Sequence, residues 1–432
     1  MAPTALQSTS ELTDSAIKHA ATKTAALTST NSSVEHINEL DSSRLVFTRN
    51  QNPKDVPEPD SPEVRAINVG TDHMITCQWT SKTGWQAPHL QPYGPLQLMP
   101  TASCLHYATE CFEGLKFYRG HDLRLRLFRP NRNAHRMLQS AARISLPTFD
   151  PNELQKLIET LVAVDGEKWL PKTRPGTFLY LRPTMIANGT SLGVQKPQEA
   201  LLYIIAVCFP TVGARKETAE INAGIPSSQK KSDSPGFKLL AGKEDTVRAW
   251  PGGWGYAKVG ANYGPSLMAQ TEARARGYDQ VLWLLGSECE VTEVGASNFF
   301  VVWRTREGVM QLITAPLGDK IILDGVTRAS VLELARERLV GEVEVVERRF
   351  TMFEVEEAYE EGRLVEAFAA GTAVFVTPVS RIHFRDRDID IPTLEGATGR
   401  FAGMLQRWLE GIMYGNEQHE WGVVVQERQF DR

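Results

Sequence analysis

The apolar and polar positions fall into two regions of mixed strand and helix, preceded by a polar extension. From Asp72 to Trp79 polar and apolar residues alternate, the period of a strand with one buried face. Leu123 to Phe128 alternates again and stops at Pro130. Ala134, Met137, Leu138 and Ala141 then share one face of a predicted helix. Phe178 to Leu181 and Leu201 to Cys208 are apolar runs expected of buried strands. The character then changes. Arg215 to Asp245 carries Lys216, Lys230, Lys231 and Lys238 among Ser, Pro and Gly without periodicity, as a linker or insertion would. Strands are predicted again at Val281 to Leu285 and Asn298 to Trp303, and helices at Thr327 to Leu339, after Thr351, and at Arg400 to Gly411. Thr351 with Glu354 is a capping box, and Gly362 is the matching stop. In the last helix Phe401, Met404, Leu405 and Trp408 face inward. Strands and helices that mix without strict alternation predict an α+β fold rather than a doubly wound sheet. The boundaries expected are a disordered extension over 1–60, a small N-terminal α/β domain over 61–213, a linker with an insertion over 214–246, and a larger C-terminal domain over 247–428.

Length and charge narrow the classes. A chain of 432 residues has room for two domains. A net charge of −5 gives no case for nucleic acid, and no run of about 18 apolar residues calls for a membrane span. Cys77, Cys104, Cys111, Cys208 and Cys289 never form a C-x-x-C, so free thiols are expected rather than a zinc site or a disulfide framework. The stretch to Asp41 is rich in Ala, Ser and Thr and holds Lys18 and Lys23. It also holds Glu11, Asp14, Glu35 and Glu39, with no Arg before Arg44. Those acids favour a solubilising tail over an import signal, so a cytoplasmic protein is expected, with mitochondrial import as the alternative.

Five places carry candidate chemistry. Lys258 stands among Gly252, Gly253, Gly255, Gly260 and Gly264. A lysine with little room to hydrate has a lowered pKa and suits a Schiff-base nucleophile, but composition alone leaves it an ordinary turn lysine. Glu293 lies between Val291 and Val294, as a buried acid or as a strand-edge acid facing water. Arg136 sits beside a helix's apolar face, with a fork able to reach a phosphate or to snorkel out. Gly325-Val326-Thr327 and Gly371-Thr372-Ala373 offer hydroxyls and free amides, the first at a helix start, where anions bind or a cap simply forms.

As an ordered set these motifs resemble one family. Lys258-Val-Gly-Ala-Asn-Tyr-Gly, Thr-Glu293-Val-Gly, Gly-Val-Thr327-Arg and Gly-Thr372-Ala follow in the order seen in branched-chain aminotransferases, pyridoxal-phosphate enzymes of fold type IV. The likeness extends to His106-Tyr107-Ala108, Phe112-Glu113-Gly114, Leu179-Tyr180-Leu181-Arg182-Pro183, Ser191-Leu192-Gly193-Val194 and Met413-Tyr414-Gly415. The resemblance implies a two-domain α+β fold with pyridoxal 5'-phosphate between the domains, working as a homodimer in which the partner completes part of each pocket. It implies ping-pong transamination between Leu, Ile or Val and 2-oxoglutarate. Lys258 would carry the cofactor as a Schiff base and shuttle the proton. Glu293 would pair with the pyridine nitrogen, and Tyr263 with the ring oxygen. Arg136, Val326, Thr327 and Thr372 would hold the phosphate. Tyr107, Arg182 and Ala373 would meet the substrate carboxylate, and Phe112, Tyr180 and Val194 would line the apolar wall. The chain departs from the family at Ala296, which replaces a hydroxyl residue near the carboxylate, at Ser297, and at Arg215 on the loop bordering the substrate. These leave open the same chemistry on a different amino or keto acid in specialised biosynthesis. A fold-type-IV lyase or a D-amino acid transaminase fits the motifs less well. The redox C-x-x-C of the animal enzymes is absent, with Val374 and Thr377 in its place.

Overall fold

The computed structural model describes residues 37–210, 236–392 and 398–428. Each segment with a two-residue period forms a strand, because only a sheet places alternate side chains on one buried face. The first sheet takes β1 (Val46–Phe47), β2 (His73–Thr80), β3 (Gly84–Trp85), β4 (His89–Pro92), β5 (Glu110–Phe112), β6 (Leu115–Arg119), β7 (Leu125–Phe128), β8 (Phe178–Ile186) and β9 (Glu199–Val207). Its order is β1-β4-β2-β9-β8-β6-β7, with β3 on β2 and β5 on β8. Four helices belong to this half: α1 (Pro62–Arg65), α2 (Cys104–Tyr107), α3 (Pro130–Arg143) and α4 (Pro151–Trp169). Ala134, Met137 and Ala141 of α3 and Leu154, Leu157 and Leu161 of α4 pack with Ile75, Phe117, Leu127 and Leu181 of the sheet. Helix α4 lies outside the expected elements, although Leu154, Leu157, Ile158 and Leu161 stand at helical spacing.

The second sheet takes β10 (Phe237–Ala241), β11 (Gln280–Leu285), β12 (Glu290–Val294), β13 (Ser297–Arg304), β14 (Met310–Thr314), β15 (Glu344–Glu347), β16 (Leu364–Gly371), β17 (Phe375–Phe384) and β18 (Arg387–Asp390). With it come α5 (Leu267–Ala275), α6 (Val326–Arg338), α7 (Met352–Glu360) and α8 (Arg400–Met413). The order runs β12-β11-β10-β17-β16-β13, and β12 also pairs with β13, so these strands close into a ring. Closure removes the open edges that would otherwise invite foreign strands. One apolar cluster draws on every strand of the ring, among them Leu239, Leu282, Val291, Phe299, Ala367 and Val379. The capping box at Thr351 and Glu354 forms in both directions, and Gly362 follows α7 at a φ of +67°.

Three expected boundaries move. Residues 38–60, expected in the extension, join the first sheet: β1 pairs with β4, and Asn50 and Lys54 donate through their backbone amides to His73 and Asp72. Phe237 to Ala241, expected in the linker, form β10 between β11 and β17. The chain end, expected in the second domain, supplies β19 (Gly422–Val425), which pairs antiparallel with β7 of the first sheet. Each segment is short, and its apolar content becomes meaningful only beside a strand distant in sequence. A further core joins the halves: Tyr118 and Phe128 from the first sheet pack with Phe300, Phe368 and Leu405. The five cysteines are free. Among the described residues no helix is long and apolar enough to cross a membrane.

Candidate active site

The turn that carries Lys258 is held by its neighbours in sequence. Ala257 and Val259 are buried, and Asn262 donates through Nδ2 to the carbonyls of Trp254 and Ala257. The Lys258 backbone N–H donates to Ser140 Oγ at 2.8 Å, and its carbonyl accepts from the Phe112 N–H at 3.1 Å. A Cβ at Gly260 would stand 2.2 Å from Glu110 Oε1, so a larger residue there would displace the Glu110 side chain. The amine is therefore not an ordinary turn lysine. Its Nζ donates to Tyr263 Oη at 3.1 Å and lies 4.8 Å from the centre of the Phe112 ring. Phe112 also packs 5.0 Å from the Tyr263 ring and under the Arg182 guanidinium at 4.7 Å.

Two buried carboxylates flank this centre. Glu113, fully buried, accepts from Arg136 Nε at 2.7 Å and Nη2 at 2.8 Å, from Asn133 Nδ2 at 2.8 Å, and from the Gly114 amide. Burial pushes its carboxyl up, but Arg136, Lys258 and Asn133 outweigh that and hold it below the usual carboxylate range. Arg136 does not snorkel. Its Nη1 donates to the Asp324 carbonyl at 2.8 Å, which leaves one N–H free on each terminal nitrogen for an anion. Ser140 lies one helical turn beyond Arg136, so α3 presents both residues to the site from one face.

The second carboxylate is Glu293, which is buried on β12 and does not face water. Its Oε1 accepts from Asn298 Nδ2 at 3.1 Å and from the Leu323 amide at 3.2 Å. Arg248 Nη1 lies 2.6 Å from Oε2 but outside hydrogen-bond geometry, and Oε2 has no hydrogen-bond partner. Burial pushes Glu293 above the usual carboxylate range, and Arg248, the Leu323 amide, Lys258 and Arg328 offset only part of this. Lys258 acts electrostatically on both carboxylates, so amine and acids share one region.

The remaining candidates divide by position. Leu323 binds Glu293 and Asp324 binds Arg136, and the same segment leads into α6, whose N-cap Gly325 makes no side-chain cap. A Cβ at Gly325 would stand 2.0 Å from Asn298 Oδ1. The first amides of α6, at Val326 and Thr327, are open to an anion. Glu293, Asn298 and Ala370 are paired across three strands, which puts the Gly371–Ala373 turn with Thr372 at the same end of the sheet. Tyr180 is buried and stacks on Phe209 at 4.8 Å, and Arg182 Nε is buried without a hydrogen-bond partner. Tyr107 is 39% exposed, Val194 is 86% exposed, and Ala296 is exposed, so the chain's own core encloses none of them. Arg215 lies outside the described residues. Sequence reasoning assigns no role to Glu113, Asn298, Ser140 or Arg248. An acid at Glu113, two residues before a segment that sets Leu115, Phe117 and Tyr118 around Lys116, is a readable signal. For Arg248, between Val247 and Ala249, none exists.

Residues 110–382 match the amino-transferase class IV family. A cytosolic branched-chain-amino-acid aminotransferase of Saccharomyces cerevisiae is 44% identical over 392 residues, covering 89% of this chain and 98% of that one. A mitochondrial counterpart from Schizosaccharomyces pombe is 41% identical over 392 residues, covering 89% of this chain and 85% of that one. Among solved structures, a branched-chain aminotransferase of Thermoproteus uzoniensis with norvaline superposes with a TM-score of 0.59 at 26% identity, covering 81% of this chain and 99% of that one. A second branched-chain aminotransferase, solved in complex with N-(5'-phosphopyridoxyl)-L-glutamate, gives 0.57 at 26% identity, covering 81% and 98%. The chain therefore belongs to the class IV aminotransferases.

Proposed function

We propose that this protein is a pyridoxal-phosphate-dependent branched-chain aminotransferase that passes nitrogen from Leu, Ile or Val to 2-oxoglutarate by a ping-pong cycle. The observation that carries the reading is a buried carboxylate oxygen, Glu293 Oε2, that has no hydrogen-bond partner, on an acid that the charge of Lys258 reaches. The residues fit the cofactor. Glu293 Oε2 would take a ring N–H, and the two free N–H groups of Arg136, the amides of Val326 and Thr327, and Thr372 would take the phosphate. When bound, pyridoxal phosphate supplies an electron sink that weakens the substrate Cα–H bond. Lys258 Nζ would hold the cofactor and would move the proton at substrate Cα, with Tyr263 Oη holding the amine in place. Arg182, with an unsatisfied Nε, meets the substrate carboxylate with Tyr107 and Ala373. Phe112, Tyr180 and Val194 line the apolar wall, and Ala296 and Arg215 sit at its rim. The exposure of Tyr107 and Val194 supports a homodimer, since both are free to complete a pocket across an interface. Two domains meet at the site, with β10 assigned to the second. The matched relatives carry cytosolic and mitochondrial names, and we keep both compartments, cytoplasm first.

Three measurements test this. Purified protein absorbs near about 410 nm. Lys258→Ala loses turnover by more than about 10⁴-fold. In a steady-state survey with 2-oxoglutarate, Leu, Ile and Val exceed polar donors in kcat/KM. A polar donor far above all three overturns the branched-chain specificity, and full activity in the Lys258 variant overturns the chemistry.

A further inference from the structure

Arg248 lies in an irregular stretch between β10 and the Lys258 turn, yet its side chain is only 6% exposed. Its neighbour in sequence fixes its position: Ala249 is buried in a small apolar cluster with Ala315, Ile321 and Ile322. Leu323, directly after Ile322, donates its amide to Glu293. One packed cluster therefore holds both the guanidinium and the amide that meet this carboxylate. The contact geometry differs on the two oxygens. Oε1 is satisfied by Asn298 and Leu323, while Oε2 faces Arg248 Nη1 at 2.6 Å without forming a hydrogen bond. Such a contact gives charge attraction while leaving the acceptor unused.

We infer that Arg248 is a positioning residue for the cofactor acid, keeping Glu293 ionised and its Oε2 available to the ring N–H. The inference rests on the proposed role of Glu293. A buried carboxylate with no cation beside it takes up a proton, and a protonated acid no longer offers the charge that holds a pyridinium. The charges acting on Glu293 are Arg248, Lys258 and Arg328, and its polar contacts are Asn298 and the Leu323 amide. A purely structural counter-ion would protect folding and leave cofactor binding alone.

The experiment measures pyridoxal phosphate affinity of the apoprotein by quenching of tryptophan fluorescence, together with the pH titration of the bound cofactor's absorbance. Arg248→Met should weaken binding at least about tenfold, and Arg248→Lys should recover most of that loss. The neutral double variant, Arg248→Met with Glu293→Gln, buries neither charge and should match Glu293→Gln alone in affinity. Where Arg248→Met does not fold, the double variant and Arg248→Lys decide. A double variant about tenfold weaker than Glu293→Gln overturns the inference, because Arg248 would then act other than through the acid. Wild-type affinity and an unshifted absorbance titration in Arg248→Met also overturn it, as does an Arg248→Lys variant at least about tenfold weaker than wild type. If Glu293→Gln itself binds the cofactor like wild type, the role proposed for Glu293 fails instead.

Discussion

The two halves of the molecule each bury a carboxylate beside the same lysine, and they treat it in opposite ways. On the first sheet, Glu113 is gripped by both edge nitrogens of Arg136 and by Asn133. On the second, Glu293 has an arginine just as near, but its Oε2 makes no hydrogen bond. Both are buried, so burial alone does not set their behaviour. The fully satisfied acid is held below its ordinary range, and the half-satisfied one is pushed above it. The first serves as a fixed counter-ion that orients Arg136. The second keeps an unmet demand for a donor, and that demand is what a binding site offers.

The comparison breaks or sharpens under four substitutions. Glu113→Gln leaves the Arg136 guanidinium buried without its charge partner, so the apoprotein should lose about 3–5 kcal/mol in urea unfolding at neutral pH. The wild-type contribution is present above the ordinary glutamate range and lost as pH falls through the lowered pKa, so the variant should differ least in acid. A third buried acid extends the series. Among the described residues Glu366 accepts from the Phe401 and Ala402 amides alone, at the start of α8, and burial pushes it to about 7. Its raised pKa means stability is full below about pH 4.5 and lost as pH rises through 7. Glu366→Gln should flatten a fall of roughly 2–3 kcal/mol across that window in pH-dependent unfolding. Glu293→Gln should cost about 1–2 kcal/mol, less than Glu113→Gln, because losing the half-satisfied acid's own burial penalty offsets part of the cost of leaving Arg248 unpaired. Equal losses at the two sites would end the contrast. The smallest effect is expected at the α6 start, where both networks meet. Thr327→Ala should weaken cofactor binding about fivefold with the unfolding midpoint unchanged, read by fluorescence titration.

Much of the fold is readable in the sequence because it depends on local periodicity. β2, β8, β9, β13, α3, α6 and α8 stand where alternation, apolar runs or helical spacing place them, and the α7 capping box is visible in four letters. Among the segments that escape, α4 is long and has a helical period, whereas β1, β10 and β19 are short and have none. Each of these strands has too few residues to show a pattern, and each is stabilised by strands from elsewhere in the chain. The site divides along the same line. Lys258, Glu293, Tyr263 and Arg136 stand out as an ordered set of motifs. Arg248, Ser140 and the part played by Asn298 do not, because nothing in their neighbours' spacing points at a distant carboxylate or amide.

Sequence alone therefore determined the family, the likeness to pyridoxal-phosphate enzymes, and the residue types at the reacting centre. Tertiary structure alone decided which of two buried acids is satisfied and which is left with a free oxygen. The reason is physical: a motif names a carboxylate, but its charge state depends on donors that packing brings from residues far along the chain, here Arg136 for Glu113 and Arg248, Asn298 and Leu323 for Glu293.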